Sequence, residues 1–219
     1  MPRRLNLPDS ASVAIPRDND RLHAPSAARN GAAICAVISE RGPKSGRALE
    51  IASGTGEHAI RIAACLPDVI WQPTDIDPTR RKSIDAWNAG SDCANIRPAI
   101  ALDACTPGWG AKHGGQDLIF ASNILHLISE SEAETLIVEA SHALSPGGML
   151  MIYGPFRREH GFATDSDAAF HASLTAQDPE IGYKSIAEVH RWMENAGLTP
   201  QDPSPMPAEN VTLVGINPL

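Results

Sequence analysis

Residues 48–59 read ALEIASGTGEHA, an apolar run that breaks into a Gly-x-Gly turn and then opens a helix. Leu49 and Ile51 have the apolar character of a strand buried on both faces in a parallel sheet. Gly54 and Gly56 let the backbone turn sharply and approach a ligand closely, because neither puts a Cβ in the way. A helix starting near Glu57 presents unpaired N–H groups to whatever lies over the turn. A strand, a glycine elbow and a helix in that order form a cradle for a nucleotide cofactor.

The spacing fits a G-x-G-x-x-G fingerprint if Ala59 serves as the third small residue, so a dinucleotide remains possible from spacing alone. After a helix over residues 58–66, stopped by Pro67, residues 69–77 read VIWQPTDID, a second apolar strand ending in carboxylates. An acid about 20 residues past the glycines accepts hydrogen bonds from ribose hydroxyls in such sheets. Asp75 is placed for that role, with Ile76 beside it, whereas Asp77 directly before Pro78 has the form of a helix N-cap. A third strand over residues 96–102 ends at Asp103, beside the expected base position, with the Ala104 N–H next to it. The fourth, residues 117–121, releases Asn123 and His126 at the same edge. Ligands of open α/β sheets bind outside the carboxyl ends of the strands, so this recurrence says more than any one motif.

Two capping boxes mark helix starts, Ser129 with Glu132 and Ser185 with Glu188. The second helix should end with Gly197 in the left-handed conformation. Between them, Ser145-Pro146-Gly147-Gly148 turns into a fifth strand over residues 149–153. Residues 155–183 hold no convincing strand and a weak helical pattern at most, so they are expected to form a substrate-side insertion walling or covering the pocket. Residues 1–30 are expected to form a partly flexible N-terminal arm ahead of a single domain over 31–219, with Arg29 and Asn30, before a helix over 32–39, folding back toward the cofactor.

A length of 219 residues suits one domain of this rhythm. The formal charge of −8 argues against a nucleic-acid partner, which needs clustered Lys and Arg, and the run Arg80-Arg81-Lys82 has the look of a solvated helix face. The four cysteines lack paired metal-binding spacing, so no metal is expected. No apolar stretch is long enough to span a bilayer, and the first residues lack an apolar signal core, so a cytoplasmic protein without a membrane partner is expected.

Glu50, ahead of the glycines, resembles the E-x-x-x-G-x-G opening of class I S-adenosylmethionine (SAM) methyltransferases, and the Leu144-to-Gly148 turn resembles the L-x-P-G-G turn of their sheets. From Arg29-Asn30 to Met206-Pro207-Ala208 the chain resembles an uncharacterised methyltransferase-like family of bacteria and animals, a conserved domain of unknown function. The matching stretches are LEIASGTGEHA, WQPTDID, SI-x-AW (83–87), N-x-x-H (123–126), YGPF (153–156) and MPAEN (206–210). The resemblance implies an α/β, doubly wound, seven-stranded and mostly parallel Rossmann-like sheet, SAM as cofactor, and no particular substrate. Cofactor contacts are expected at Glu50, Ala52, Ser53, Gly54, Gly56, Asp75, Ile76, Asp103, Ala104 and Asn123. Departures from the family pattern fall at Asp167, His171, Ile181, Lys184 and Glu209, on the substrate side.

Methyl transfer from a sulfonium is an in-line displacement, so holding the acceptor near attack distance and excluding water supply most of the catalysis. A hydroxyl or ammonium acceptor must also lose a proton. His126 is the first choice as general base, since an ordinary imidazole titrates near working pH. Tyr153 is the second candidate and His160 a weaker one, while Asn123 could position the acceptor or the cofactor's amino group. The acceptor is expected to be a small molecule. Two rival readings are a non-catalytic SAM-binding or interaction protein and an NAD(P)-dependent oxidoreductase, though neither tyrosine is followed four residues later by the lysine that short-chain reductases carry.

Overall fold

In the computed structural model, which describes residues 11–219, the apolar runs become strands of one mixed sheet flanked by helices. A small antiparallel pair, β1 (Ile15–Pro16) and β2 (Leu22–His23), leads into helix α1 (Pro25–Arg41). Strand β3 (Gly46–Ile51), helix α2 (Glu57–Cys65), strand β4 (Val69–Pro73) and helix α3 (Pro78–Ala89) follow. Helix α4 (Trp109–Lys112), strand β5 (Gln116–Ser122), a 3-10 turn (Leu125–Leu127) and helix α5 (Glu130–Ala143) lead to strand β6 (Leu144–Gly154). Helices α6 (Asp165–Gln177) and α7 (Ile186–Asn195) precede strands β7 (Thr199–Pro200), β8 (Ser204–Pro205) and β9 (Val211–Ile216).

The seven strands run in the order β4-β3-β5-β6-β9-β7, with β8 also on β9. Pairing is parallel from β4 through β6, and β9 is antiparallel to β6, β7 and β8, so it runs against all the others. This is the expected α/β, doubly wound and mostly parallel sheet in a single domain. Side chains alternate across it with period two. Leu49, Ile51, Ile119, Ala121, Leu150 and Ile152 pack on one face against α5 and α7. Ala48, Leu118, Phe120, Met151 and Tyr153 pack on the other against α1 and α2. Each fully buried aliphatic side chain contributes about 1.5–3 kcal/mol, which explains why these strands have no polar face.

Local signals set the element ends. Both capping boxes form, Asp77 Oδ1 accepts the Thr79 N–H at 2.7 Å, and Gly197 has φ +81°. Four expectations need correction. The third strand is reduced to two isolated bridges, Trp71 to Ile96 and Thr74 to Ile100, with Pro98 between them lacking an N–H to donate. The first helix begins at Pro25, pre-set for a first turn, rather than at Ala32, which puts Arg29 and Asn30 inside it. The fifth strand begins at Leu144, because β6 pairs with β5 on both sides of the glycine turn. Residues 155–183 contain a full helix, α6, capped by Thr164. Only Leu174 of α6 is buried, which is why its sequence shows so little apolar spacing. Residues 1–10 of the expected arm lie outside the described residues. Among the described residues no helix is long and apolar enough to cross a membrane.

Candidate active site

At the carboxyl ends of β3, β4, β5 and β6 the chain encloses a cavity of about 890 Å³. Its floor is the elbow after β3. There Ala52 (φ +50°) and Gly54 (φ +61°) both lie in the left-handed region, at a cost of about 1–2 kcal/mol for the alanine. The end of β4 holds that strain in place. Ser53 N–H donates to the Thr74 carbonyl at 2.7 Å, Thr74 Oγ1 donates to the Glu50 carbonyl at 2.8 Å, and Gly54 N–H donates to Asp75 Oδ2 at 3.0 Å. Asp75 Oδ1 accepts from Asp77 N–H at 2.9 Å. Burial holds the Asp75 carboxyl above its usual range, opposed by these N–H groups and by Arg80.

Ala52, Ser53, Gly54, Asp75, Ile76, Asp103, Ala104 and Asn123 all line the cavity. Asp103 lies past the remnant third strand, its Oδ1 accepting from Cys105 N–H at 3.0 Å. Asn123 leaves β5 with φ +54°, its N–H bonded to the Tyr153 carbonyl at 2.8 Å. Two expected contacts lie elsewhere. Glu50 is buried behind the wall, with Oε2 accepting from Trp71 Nε1 at 2.9 Å, and burial pushes its carboxyl up to about 7. Gly56 faces α3, where a Cβ would lie 2.7 Å from the Ile84 Cα, so its small size serves helix packing rather than a ligand.

His126 and Tyr153 line the cavity and are buried, whereas His160 is exposed and does not. The reason for choosing His126 as a base does not survive its surroundings. Burial, with a smaller contribution from the Lys184 charge, lowers its pKa to about 3, so the imidazole is neutral at working pH and holds a proton weakly. Burial raises the Tyr153 hydroxyl, opposed by the Asn30 side chain and the Arg29 charge. From the stretch 155–183, Pro155, Asp167, Phe170 and Tyr183 line the cavity.

Arg29 and Asn30 line the cavity, while His58 lines it without having been singled out from the sequence. His58 and Asn30 are buried with His58 Nδ1 and Asn30 Oδ1 lacking a hydrogen-bond partner, a costly state that a polar ligand would relieve. Burial takes His58 down to about 4. Arg80, expected on a solvated helix face, lines the cavity and donates through Nη2 to Ser12 Oγ at 2.7 Å, fastening the N-terminal segment over the elbow. A polar residue one turn after the glycines was the available signal for His58. Arg80 and Ser12 are far apart in sequence, and no local pattern links them.

A family model described as "Protein of unknown function (DUF938)" matches residues 21–215. Solved structures share the fold. An O-methyltransferase family protein from Burkholderia thailandensis superposes with a TM-score of 0.73 at 17% identity, over 86% of this chain and 56% of that one. Human N-acetylserotonin methyltransferase in complex with SAM gives 0.73 at 16% identity, over 89% and 53%. An O-methyltransferase family 2 protein from Planctomyces limnophilus in complex with apigenin gives 0.73 at 20% identity, over 88% and 57%. The chain thus spans little more than half the length of each of these structures.

Proposed function

Because this chain belongs to the DUF938 family and carries the elbow and cavity described above, we propose that it transfers a methyl group from SAM to a small-molecule acceptor. One observation carries this reading. Polar groups from successive strand ends, at the elbow, Asp75, Asp103 and Asn123, line one cavity together with apolar and aromatic side chains, among them Leu127, Ile128, Phe170 and Tyr183. About 890 Å³ is at the large end for a small-molecule site, room for a nucleoside cofactor beside a modest acceptor.

The residues present fit such a cofactor. Each Asp75 oxygen keeps a lone pair beyond the bond it already accepts, suited to ribose hydroxyls. The orphaned Asn30 Oδ1 and His58 Nδ1 offer an acceptor and a ring nitrogen to a polar amino-acid end. A Cβ on Gly54 would stand in the elbow, 3.4 Å from Arg80 Nη1. When bound, SAM supplies a methyl carbon made electrophilic by its sulfonium. The protein then has to position the acceptor and exclude water. Asn123 and the neutral His126 ring orient the acceptor by hydrogen bonds, while Leu127, Ile128 and Phe170 keep water away.

The test is a calorimetric titration with SAM, S-adenosylhomocysteine and NADH, followed by an acceptor screen using methyl-labelled SAM. Binding of both sulfur ligands but not NADH, with label transferred to an acceptor, is expected. Preference for NADH, or binding of neither sulfur ligand, would overturn the reading. Tight binding with no transfer to any acceptor would favour a regulatory SAM-binding protein.

A further inference from the structure

One part of the cavity lining has its own composition. The His126 ring lies 5.8 Å from Phe170 and 5.9 Å from Tyr183, and those two rings lie 6.2 Å apart, so the three close a triangle. Asp167 joins it, with Oδ1 accepting from the Tyr183 hydroxyl at 3.1 Å. All four residues line the cavity. Among the described residues the arginines and lysines that line it are Arg29 and Arg80, against Asp75, Asp77, Asp103, Glu132 and Asp167. Arg80 sits at the elbow, bonded to Ser12, and Arg29 lies on α1. Lys184, whose charge acts on His126, is buried with Nζ donating to the Ile128 and Gly182 carbonyls, and it does not line the cavity.

Aromatic rings beside a carboxylate, with no lining cation among them, attract a positive head group and repel a negative one. On the methyl-transfer reading, we propose that the acceptor is an amine carried on an apolar body, held by Phe170, Tyr183 and the Asp167 carboxylate. The protonation chemistry points the same way. A hydroxyl acceptor needs a group to take its proton. His126 holds one weakly, and the Tyr183 hydroxyl, raised by burial and by Asp167, is already committed as a donor. An ammonium must lose a proton too, but as a far stronger acid than an alcohol it can give that proton to water and so free its lone pair. The amine binds as the ammonium, loses one proton to water past the half-exposed Asp167, and its nitrogen then forms the new N–C bond. The S–C bond breaks with its electron pair going to sulfur, and the proton left on the methylated nitrogen passes to water.

The test titrates protein saturated with S-adenosylhomocysteine with phenethylamine, phenethyl alcohol and phenylacetate, which share one body and differ in head group. The amine is expected to bind at least about tenfold more tightly than the alcohol, with the carboxylate weakest. Asp167→Asn and, separately, Phe170→Leu should each remove most of that advantage while S-adenosylhomocysteine still binds as before, which also shows that the variants are folded. Equal or reversed affinities, no binding by any of the three, or an amine preference that survives both substitutions overturns the proposal. Failure of S-adenosylhomocysteine to bind the unaltered protein overturns instead the methyl-transfer reading beneath it.

Discussion

Gly54 and Gly56 stand two residues apart and answer to different neighbours. A side chain on Gly54 would enter the cavity near Arg80, at a backbone φ of +61°. Gly54→Val is expected to lower SAM affinity at least tenfold for about 1–2 kcal/mol of stability, as calorimetry and urea unfolding would report. A side chain on Gly56 would strike the Ile84 backbone, so Gly56→Ala should cost about 2–4 kcal/mol and impair the cofactor site only through the fold. Glu50 makes a second contrast. The sequence marks it as important by its place before the glycines, but its partner Trp71 is on another strand, and pairing across strands cannot be read from spacing. Its pKa is about 7 when folded, above the ordinary 4.5, so the stability tied to its protonated form is complete below pH 4.5 and disappears as pH rises through 7. Glu50→Gln should remove that loss, about 3 kcal/mol, and urea midpoints at pH 5 and pH 8 should converge relative to the unaltered protein. For His126 the prediction concerns rate. With a pKa near 3, it should leave no limb near pH 6.5 in kcat/KM, and a limb there that vanished in His126→Asn would show that the ring titrates normally after all.

At the scale of elements, the legible parts were those whose cause is local. A capping box, a proline at a first turn or a glycine at a helix end acts within a few residues, and each appears where the sequence places it. Elements held by distant partners were not legible. Helix α6 buries one leucine, and the third strand survives as two bridges, one to β4 and one to Thr74 just past its end. The N-terminal segment is the strongest case. Leu22 N–H donates to Ser83 Oγ at 2.8 Å, Trp87 Nε1 donates to the Leu22 carbonyl at 2.9 Å, and the Arg21 guanidinium lies 4.7 Å from the Trp87 ring centre. Glu57 accepts from Ala24 N–H at 2.7 Å and pairs with His23 at 2.9 Å. This segment is therefore a clamp from α3 to the start of α2, and its residues Ala11 to Val13 line the cavity. Ser83 is fully buried and also donates to the Thr55 carbonyl at 2.7 Å, so Ser83→Ala leaves two backbone groups unmet. A loss of about 1–3 kcal/mol and faster trypsin cleavage after Arg17 and Arg21 are expected. Unchanged cleavage would mean that Ser83 does not hold the segment down.

For the whole molecule, the cavity is where the two faces of the sheet meet. Asn30 and His58 come from the α1 and α2 layer, His126 and Ile128 from the chain between β5 and α5, and Phe170 and Tyr183 from the stretch after β6. The sequence could place the cavity at the sheet edge because every parallel strand ends there. It pointed to residues 155–183 and to Arg29-Asn30 as segments near that edge but not to the helices they form, since α1 and α6 are held there by tertiary packing. A ligand touching all of these parts must bind the folded state alone, because the unfolded chain cannot bring them together. Its binding energy then adds to global stability by mass action, about 2.7 kcal/mol at a hundredfold excess over Kd. In a chain of 219 residues that corresponds to a rise in Tm of about 5–10 °C. Scanning calorimetry with saturating S-adenosylhomocysteine should show this rise as one shifted transition, because a single domain whose two cores share one sheet unfolds as a unit. NADH at the same concentration should leave Tm unchanged. A split transition, in which only part of the heat moves with ligand, would mean that the clamp and the stretch after β6 melt apart from the sheet and that the cavity is assembled only on binding.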